Sequence, residues 1–120
     1  MLHTMTFLKR RDDFVAVASF GRKSVGRGFI LQFRRRPGDS LPGIRIGFTA
    51  TKKIGGAVVR NRAKRRLRAL AREILPSHAP DGHDFVLIAR STTPGLPYAI
   101  LREDLLQALD RLPSPTPNTP

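Results

Sequence analysis

The chain has 120 residues, enough for one domain with a single modest core. Its 22 Lys and Arg residues against 9 Asp and Glu give a formal charge of +13, so a nucleic acid is the expected partner. There is no Cys, which excludes zinc fingers, disulfides and thiol catalysis. No apolar run has the roughly 18 residues of a membrane span, and no signal-peptide pattern is present. We therefore expect a cytoplasmic protein with no membrane partner.

The first residues are expected to supply one short helix. Residues 1–10 carry no regular apolar pattern and are expected to be a flexible N-terminus. Asp12 and Asp13 stand where acidic side chains favour a helix N-terminus, and the residues after them predict a helix over 11–20. Residues 21–28, GRKSVGRG, lack the Lys-Ser/Thr ending of a phosphate-binding P-loop, so we expect a flexible loop there.

Two strands are predicted by the alternation of apolar and polar residues. Residues 29–34 and 44–49 each place every second residue on an apolar face, and a turn at 37–39 lies between them. We therefore expect an antiparallel hairpin with one face in the core and the other face wet or turned to a ligand. The residues on that second face are Gln32, Arg34, Arg45 and Thr49.

Residues 52–72 are the most distinctive part of the chain, with nine Lys or Arg side chains and no carboxylate. Apolar residues recur every three or four positions after Gly55, which predicts one helix of about 19 residues that Pro76 ends. Solvated helices normally pair Glu with Lys four residues apart, but only Glu73 is available here, so neighbouring cations repel one another. We therefore predict that this basic helix binds a polyanion. Its apolar stripe is Val59, Ala63, Leu67, Leu70 and Ile74.

The last part of the chain is expected to supply one strand and one helix. Residues 85–89 are apolar without alternation, which is typical of a strand buried on both faces. Pro97 suits the first turn of a last helix over 98–112. Turn residues make 76–82 a linker, and the Pro-rich tail 113–120 is expected to be disordered.

These elements predict a single-domain α+β sandwich, residues 11–112, in the order α-β-β-α-β-α. The second strand, the basic helix and the third strand are expected to form a βαβ unit with two parallel, neighbouring strands. General topology favours a right-handed crossover in such a unit, because right-twisted strands return a helix to the sheet with that hand.

Reactive chemistry has little support in the sequence. A metal-dependent nuclease acting alone needs clustered carboxylates, and the acidic residues close together in this sequence form only three separate pairs. The histidines fall in the expected loose end and linker. We therefore predict no catalytic and no metal-binding residue in the protein. The acidic pairs are Asp12–Asp13, Asp81–Asp84 and Glu103–Asp104, and the histidines are His3, His78 and His83.

Two adjoining segments carry a resemblance to a known family. Residues 51–55, TKKIG, and 57–68, AVVRNRAKRRLR, are similar to the signature of the bacterial ribonuclease P protein component, whose hallmark is an Arg-Asn-Arg helix. A weaker similarity extends over about residues 8–110. It includes Asp13-Phe14 in the first helix, Arg45-Ile46-Gly47 in the second strand and residues 84–90 in the third.

The resemblance implies a subunit of a ribonucleoprotein that removes the 5′ leader from precursor tRNA. In that family the RNA subunit and its bound Mg²⁺ perform the hydrolysis, and the protein alone is inactive. The Arg-Asn-Arg helix lies against the ribonuclease P RNA, and a cleft between the first helix and the sheet takes the leader of precursor tRNA. The RNA-binding residues implied are Lys52, Lys53, Arg60, Asn61, Arg62, Lys64, Arg65 and Arg68, and the leader cleft is assigned Phe14 and Gln32.

The same resemblance implies two further features of the chain. Ala18 and Gln32 stand where family members can carry aromatic residues, so we expect base stacking on the leader either to be weaker here or to be supplied by Phe20 through a small change of register. The family is also known for a left-handed βαβ crossover in a ribosomal protein S5 domain 2-like fold. We therefore predict a left-handed connection through the basic helix, against the general rule.

Two other classes of protein compete with this interpretation. A non-enzymatic RNA binder, such as a ribosomal protein or an RNA chaperone, is supported equally well by composition alone. A DNA-binding protein that reads a groove with the basic helix is disfavoured, since a turn-rich linker stands where the partner helix of a helix-turn-helix would be. No protein partner is implied by the sequence.

Overall fold

A five-stranded mixed sheet carries three α-helices in the computed structural model, which describes residues 2–38 and 42–112. The strand order across the sheet is β1-β4-β5-β3-β2. In chain order the elements are β1 (Met5–Phe7), α1 (Arg11–Phe20), β2 (Arg22–Val25), β3 (Phe29–Arg35), β4 (Ile44–Thr49), a short 3₁₀ helix (Lys52–Ile54), α2 (Ala57–His78), β5 (His83–Ala89) and α3 (Tyr98–Asp110).

The predicted hairpin between the strands at 29–34 and 44–49 is wrong. β5 lies between β3 and β4, antiparallel to the first and parallel to the second. The physical reason is the composition of β5, in which six of seven residues are buried. A strand that is apolar on both faces gains most at the centre of a sheet, where it has a neighbour on each side and helices above and below.

The sequence patterns also missed the two edge strands. Residues 5–7, inside the predicted flexible N-terminus 1–10, form β1 parallel to β4, and Leu8 is buried next to it. Residues 22–25, inside the predicted flexible loop, form β2 antiparallel to β3. Both are short edge strands held by main-chain hydrogen bonds to one neighbour, so they need no alternating apolar pattern. The predicted disordered tail, 113–120, lies outside the described residues.

The helices are close to the sequence prediction, with corrections at the ends of α2 and α3. α1 spans the predicted residues 11–20, and α3 ends at Asp110 rather than at 112. Pro76 does not end α2, which continues to His78. Because Pro76 lies in the last turn, its missing amide removes a single helical hydrogen bond. The Ala79 amide still donates to the Leu75 carbonyl at 2.9 Å.

The core has two parts, one on each face of the sheet. α2 and α3 pack on one face, where the alternating residues of β3, β4 and β5 meet the leucines of the helices. α1 packs on the opposite face through Val17, against Leu8 and Val86. Val59 was predicted in the apolar stripe of α2 but is 37% exposed, because it lies in the first turn, before the helix reaches the core at Ala63.

The predicted βαβ unit is present in the structure. β4 and β5 are parallel neighbours with Ile46 opposite Phe85, and the chain between them runs through α2. The single-domain α+β architecture is therefore confirmed. Its three α-helices and five β-strands follow one another in the order β-α-β-β-β-α-β-α. The left hand of the crossover stays a prediction of the resemblance.

Candidate RNA-binding surface

The basic helix presents its predicted binding residues on the outside of the molecule. Two of the eight, Arg60 and Lys64, are half-buried, and the other six are exposed. None of the eight forms an ion pair with a carboxylate in the part of the chain that the structure describes. The exposed six are Lys52, Lys53, Asn61, Arg62, Arg65 and Arg68.

Glu73, the carboxylate within α2, does not neutralise this surface. Its side chain accepts hydrogen bonds from Arg102 Nε at 2.6 Å and from the Tyr98 hydroxyl at 2.8 Å, both on α3. Arg102 first and Tyr98 second hold the pKa of Glu73 below its usual range. Burial and the Glu73 contact together raise the pKa of Tyr98 to about 12. Glu73 therefore ties α2 to α3 and leaves the cations of the exposed face unneutralised.

Two arginines on the flanks of α2 are placed differently from the exposed ones. Arg66 is half-buried, and its Nη1 donates to the Thr93 carbonyl at 2.7 Å, so this cation supports the loop between β5 and α3. The Nε of Arg60 is buried and has no hydrogen-bond partner among the described residues. Position around the helix thus gives Arg66 a structural contact that the exposed arginines of α2 lack.

A glycine at the end of the 3₁₀ helix fixes how Lys52 and Lys53 approach α2. Gly55 has a φ of +143°, a conformation that other residues rarely adopt. A Cβ at Gly55 would also lie 2.9 Å from Cβ of Val59. The tight turn places the two lysines of the 3₁₀ helix directly before the first turn of α2.

Phe14 lies between α1 and the sheet, as the resemblance implied. Its ring packs directly on Gly47 of β4, where any Cβ would collide with the ring. The ring also lines a cavity of about 320 Å³ at the edge of the sheet. The other residues around this cavity are Phe7, Leu8, Ile46, Gly47, Phe48, Arg68 and Arg72.

Gln32 does not share that cavity with Phe14. It is half-buried on β3 and lines a separate groove of about 350 Å³ beside α1, together with Ala18, Arg22 and Lys23. No aromatic residue lines this groove among the residues that the structure describes. Phe20 lies at the end of α1 with 75% of its surface exposed, and the guanidinium of Arg34 lies 5.2 Å from its ring centroid.

The sequence alone indicated no binding role for Phe7, Phe48 or Arg72. Phe48 belongs to an apolar alternation that was read only as core, and Phe7 lies in a segment expected to be flexible. Arg72 is one of the nine cations of residues 52–72 and was given no role of its own. Their proximity depends on β1 pairing with β4, which no local sequence pattern indicated.

Each acidic pair has at least one member in an ion pair with another part of the fold. Asp104 accepts hydrogen bonds from the Arg27 side chain and amide at 2.6 to 3.0 Å. Burial alone would raise the pKa of Asp104, but these hydrogen bonds from Arg27 hold it below its usual range. Asp84 is bound by Arg36 and Arg45. Over residues 2–38 and 42–112, no three His, Asp or Glu side chains come together as a metal site would require.

The fold and its surface already define a class of protein. This is a small α+β protein with one long cationic helix that its own carboxylates leave unneutralised, the arrangement of proteins that bind polyanions. No helix in the described part of the chain combines the length and apolarity needed to cross a bilayer.

Comparison with known proteins gives the particular family. The family model described as Ribonuclease P matches residues 2–113. The ribonuclease P protein component of Caulobacter vibrioides is 52% identical over 109 residues, which cover 89% of this chain and 72% of that protein. The chain therefore belongs to the ribonuclease P protein family, whose members are the protein component of a ribonucleoprotein endoribonuclease of tRNA 5′ processing, with an RNA partner.

Solved structures agree with this assignment. The RNase P protein of Thermotoga maritima superposes with a TM-score of 0.75 at 28% identity, covering 89% of this chain and 97% of that one. The RNase P protein of Staphylococcus aureus gives a TM-score of 0.70 at 25% identity, covering 87% and 92%. These similarities extend over the whole sandwich rather than over the basic helix alone.

Proposed function

We propose that α2 is the surface on which this protein binds ribonuclease P RNA. The observation that carries the proposal is the exposed cationic face of α2, which has no carboxylate partner among the described residues while Glu73 is held by α3. The helix of 22 residues is about 33 Å long, which suffices to follow several phosphates of a folded RNA. The RNA-binding residues are those of the sequence prediction, Lys52, Lys53, Arg60, Asn61, Arg62, Lys64, Arg65 and Arg68.

The substrate of the complex is precursor tRNA, whose single-stranded 5′ leader lies against the face of the sheet that carries α1. Phe14 supports this part of the proposal, because its ring lines an open cavity. Gln32 lies in the neighbouring groove and contacts the leader through hydrogen bonds rather than by stacking. Hydrolysis belongs to the RNA subunit with its Mg²⁺; in support, Asp84, Asp104 and Glu73 are held by arginines, and no three described His, Asp or Glu side chains gather as a metal site would require. The cytoplasm is the expected location.

Reconstitution with a bacterial ribonuclease P RNA tests the proposal. The rate of leader removal from a precursor tRNA is measured at limiting Mg²⁺ with RNA alone, protein alone and both together. We expect the two together to act faster than the RNA alone, and the protein alone to be inactive. Leader removal by RNA-free protein that is lost on Asp84→Asn or Asp104→Asn would contradict the assignment of chemistry to the RNA. Recovery of ribosomal RNA with the purified protein, with no effect on the reaction, would favour a generic RNA binder.

A further inference from the structure

The cavity that Phe14 lines is a notch in the edge of the sheet. β1 ends at Phe7, which pairs with Ile46, while β4 continues to Thr49. Beyond Phe7, residues 47–49 therefore have no strand beside them on that edge in the described part of the chain. Side chains from both faces of the sheet line the notch, with Phe14 contributed by α1 and Arg68 by α2.

Three aromatic rings line this notch. Phe7 and Phe48 lie with their ring centroids 6.2 Å apart and their planes tilted by 47°. Phe7 is 41% exposed, although it is a large apolar side chain. Phe14 forms the wall on the α1 side, where Gly47 leaves room for its ring. Phe14 and Phe48 are half-buried. Aromatic rings that line an open groove beside cations are platforms on which proteins stack unpaired bases.

Two cations complete the same notch. The guanidinium of Arg68 lies 5.8 Å from the ring centroid of Phe48, and Arg72 follows one helical turn later along α2. Both arginines are exposed, and neither has a carboxylate partner among the described residues. Rings beside unneutralised arginines match a nucleotide, which has an apolar base and an anionic phosphate.

We propose that this notch holds one unpaired base of the precursor-tRNA leader, stacked on Phe7 and Phe48, with its phosphate beside Arg72, which is not among the residues assigned to ribonuclease P RNA. The proposal rests on the proposed function and adds a base site at the β1 edge of the sheet. The groove at Gln32 and Ala18 offers hydrogen-bonding groups and no ring. In this chain the stacking platform for the leader is therefore at the notch.

The single-ring changes Phe48→Leu and Phe7→Leu test the site in the reconstituted complex. Leucine keeps an apolar side chain of similar size, so the sheet edge remains packed while the stacking surface is lost. We expect each change to weaken binding of a precursor with a leader of about ten nucleotides by about tenfold. A precursor with a one-nucleotide leader, and the ribonuclease P RNA itself, should bind both variants as they bind the parent protein.

The matched control is Phe20→Leu, which removes an exposed ring that also lies against an arginine but outside the notch. It should bind both precursors like the parent. A second measurement reports stacking directly: 2-aminopurine is placed at successive leader positions. At one position its fluorescence should be quenched by the parent complex and recover with Phe48→Leu, a change that an altered fold alone would not confine to one nucleotide.

Failure of this site is distinguishable from failure of the proposed function. If the parent protein does not accelerate leader removal by the RNA, the proposed function is wrong and the base site has no substrate. If the parent accelerates the reaction but both leucine variants bind the long-leader precursor equally well, the base site is refuted. An equal loss for the ribonuclease P RNA and both precursors would assign the notch to the RNA subunit and overturn the leader assignment. Phe7, on the exposed edge strand, keeps the test valid if Phe48→Leu fails to fold.

Discussion

The arginines of α2 and those around Asp84 carry the same charge but have opposite surroundings. Asp84 is 1% exposed and accepts hydrogen bonds from Arg36 Nη1 at 2.6 Å and from Arg45 at 2.6 and 2.9 Å. Nη1 of Arg45 also lies 3.6 Å from Oδ1 of Asp13 on α1. The hydrogen bonds to Asp84 are the main cause that raises the pKa of Arg45. On α2, by contrast, Arg65 is exposed and has no carboxylate within reach among the described residues.

This contrast separates cations that hold the fold from cations that are available to RNA. Asp84 lies at the start of β5, the central strand, so its charge is removed from water and needs partners inside the protein. Those partners come from the neighbouring strand β4 and from the end of β3. A net charge of +13 indicates a polyanionic partner, but only the placement of the carboxylates shows which arginines meet it.

The largest expected effect is on stability, from Asp84→Asn. The change keeps the shape of the side chain but leaves Arg36 and Arg45 without their shared negative charge. Removing one partner of a buried ion pair costs about 3 to 5 kcal/mol of stability. We expect the lower value, about 3 kcal/mol, because the Arg45 side chain is 35% exposed. Urea unfolding should show that loss in the free energy of unfolding, while RNA affinity per folded molecule stays unchanged.

Asp110→Asn is the matched control for that change, because it removes a carboxylate from an exposed position at the end of α3. It should alter the free energy of unfolding by less than about 0.5 kcal/mol. If Asp84→Asn were equally mild, the network around Asp84 would contribute nothing to stability and the proposed division between structural and RNA-binding arginines would fail.

The second effect is on RNA binding, from Arg65→Ala. Removing one phosphate contact should cost about 1 kcal/mol of affinity for ribonuclease P RNA and flatten the salt dependence by about one unit. The free energy of unfolding should not change, because Arg65 makes no side-chain hydrogen bond or ion pair in the described structure. Filter binding across a salt series measures both quantities. A salt slope equal to that of the parent would place Arg65 outside the interface.

The adjacent residue gives the sharpest control for this result. Arg66→Ala removes the same charge but also the hydrogen bond to the Thr93 carbonyl. We expect it to lower the free energy of unfolding by about 1 kcal/mol and to leave the salt slope unchanged. Equal behaviour of the two alanine variants would mean that position around α2 does not separate the two roles.

The sequence predicted the parts of this molecule that depend on local pattern. The spacing from Ala63 to Ile74 located the buried side of α2, and the signature around Asn61 identified the family. The position of β5 between β3 and β4 depends on pairing between residues far apart in the chain, such as Phe33 with Phe85. Local alternation cannot report such pairing, so the antiparallel hairpin was the wrong inference from correctly identified strands.

The candidate site shows the same division. The cations of α2 follow from helical periodicity, whereas the notch needs Phe7 from the N-terminus beside Phe48 of β4. That contact exists because three residues of β1 pair with β4, a length too short to leave a periodic signal. Phe14 and Gln32, grouped by resemblance, line separate cavities because one packs on β4 and the other belongs to β3. The assignments of individual RNA-binding residues stay predictions.

The smallest expected effect concerns His83, which lies beside Asp84 at the start of β5 and is 5% exposed. Burial is the main cause that lowers the pKa of His83; the hydrogen bond to the Asp81 carbonyl opposes this effect, and the charges of Arg35 and Arg36 add to it. The unfolded chain therefore binds a proton at His83 near pH 6.5, before the folded chain does. Neutral His83 makes its full contribution to the free energy of unfolding above about pH 6.5. That contribution is lost as the pH falls toward and through the lower pKa of His83 in the folded state. Urea unfolding between about pH 7.5 and pH 5 should show this loss in the free energy of unfolding of the parent, and a shallower dependence of that free energy on pH for His83→Gln. Equal pH dependence of the two proteins would show that other groups determine the acid sensitivity of the fold.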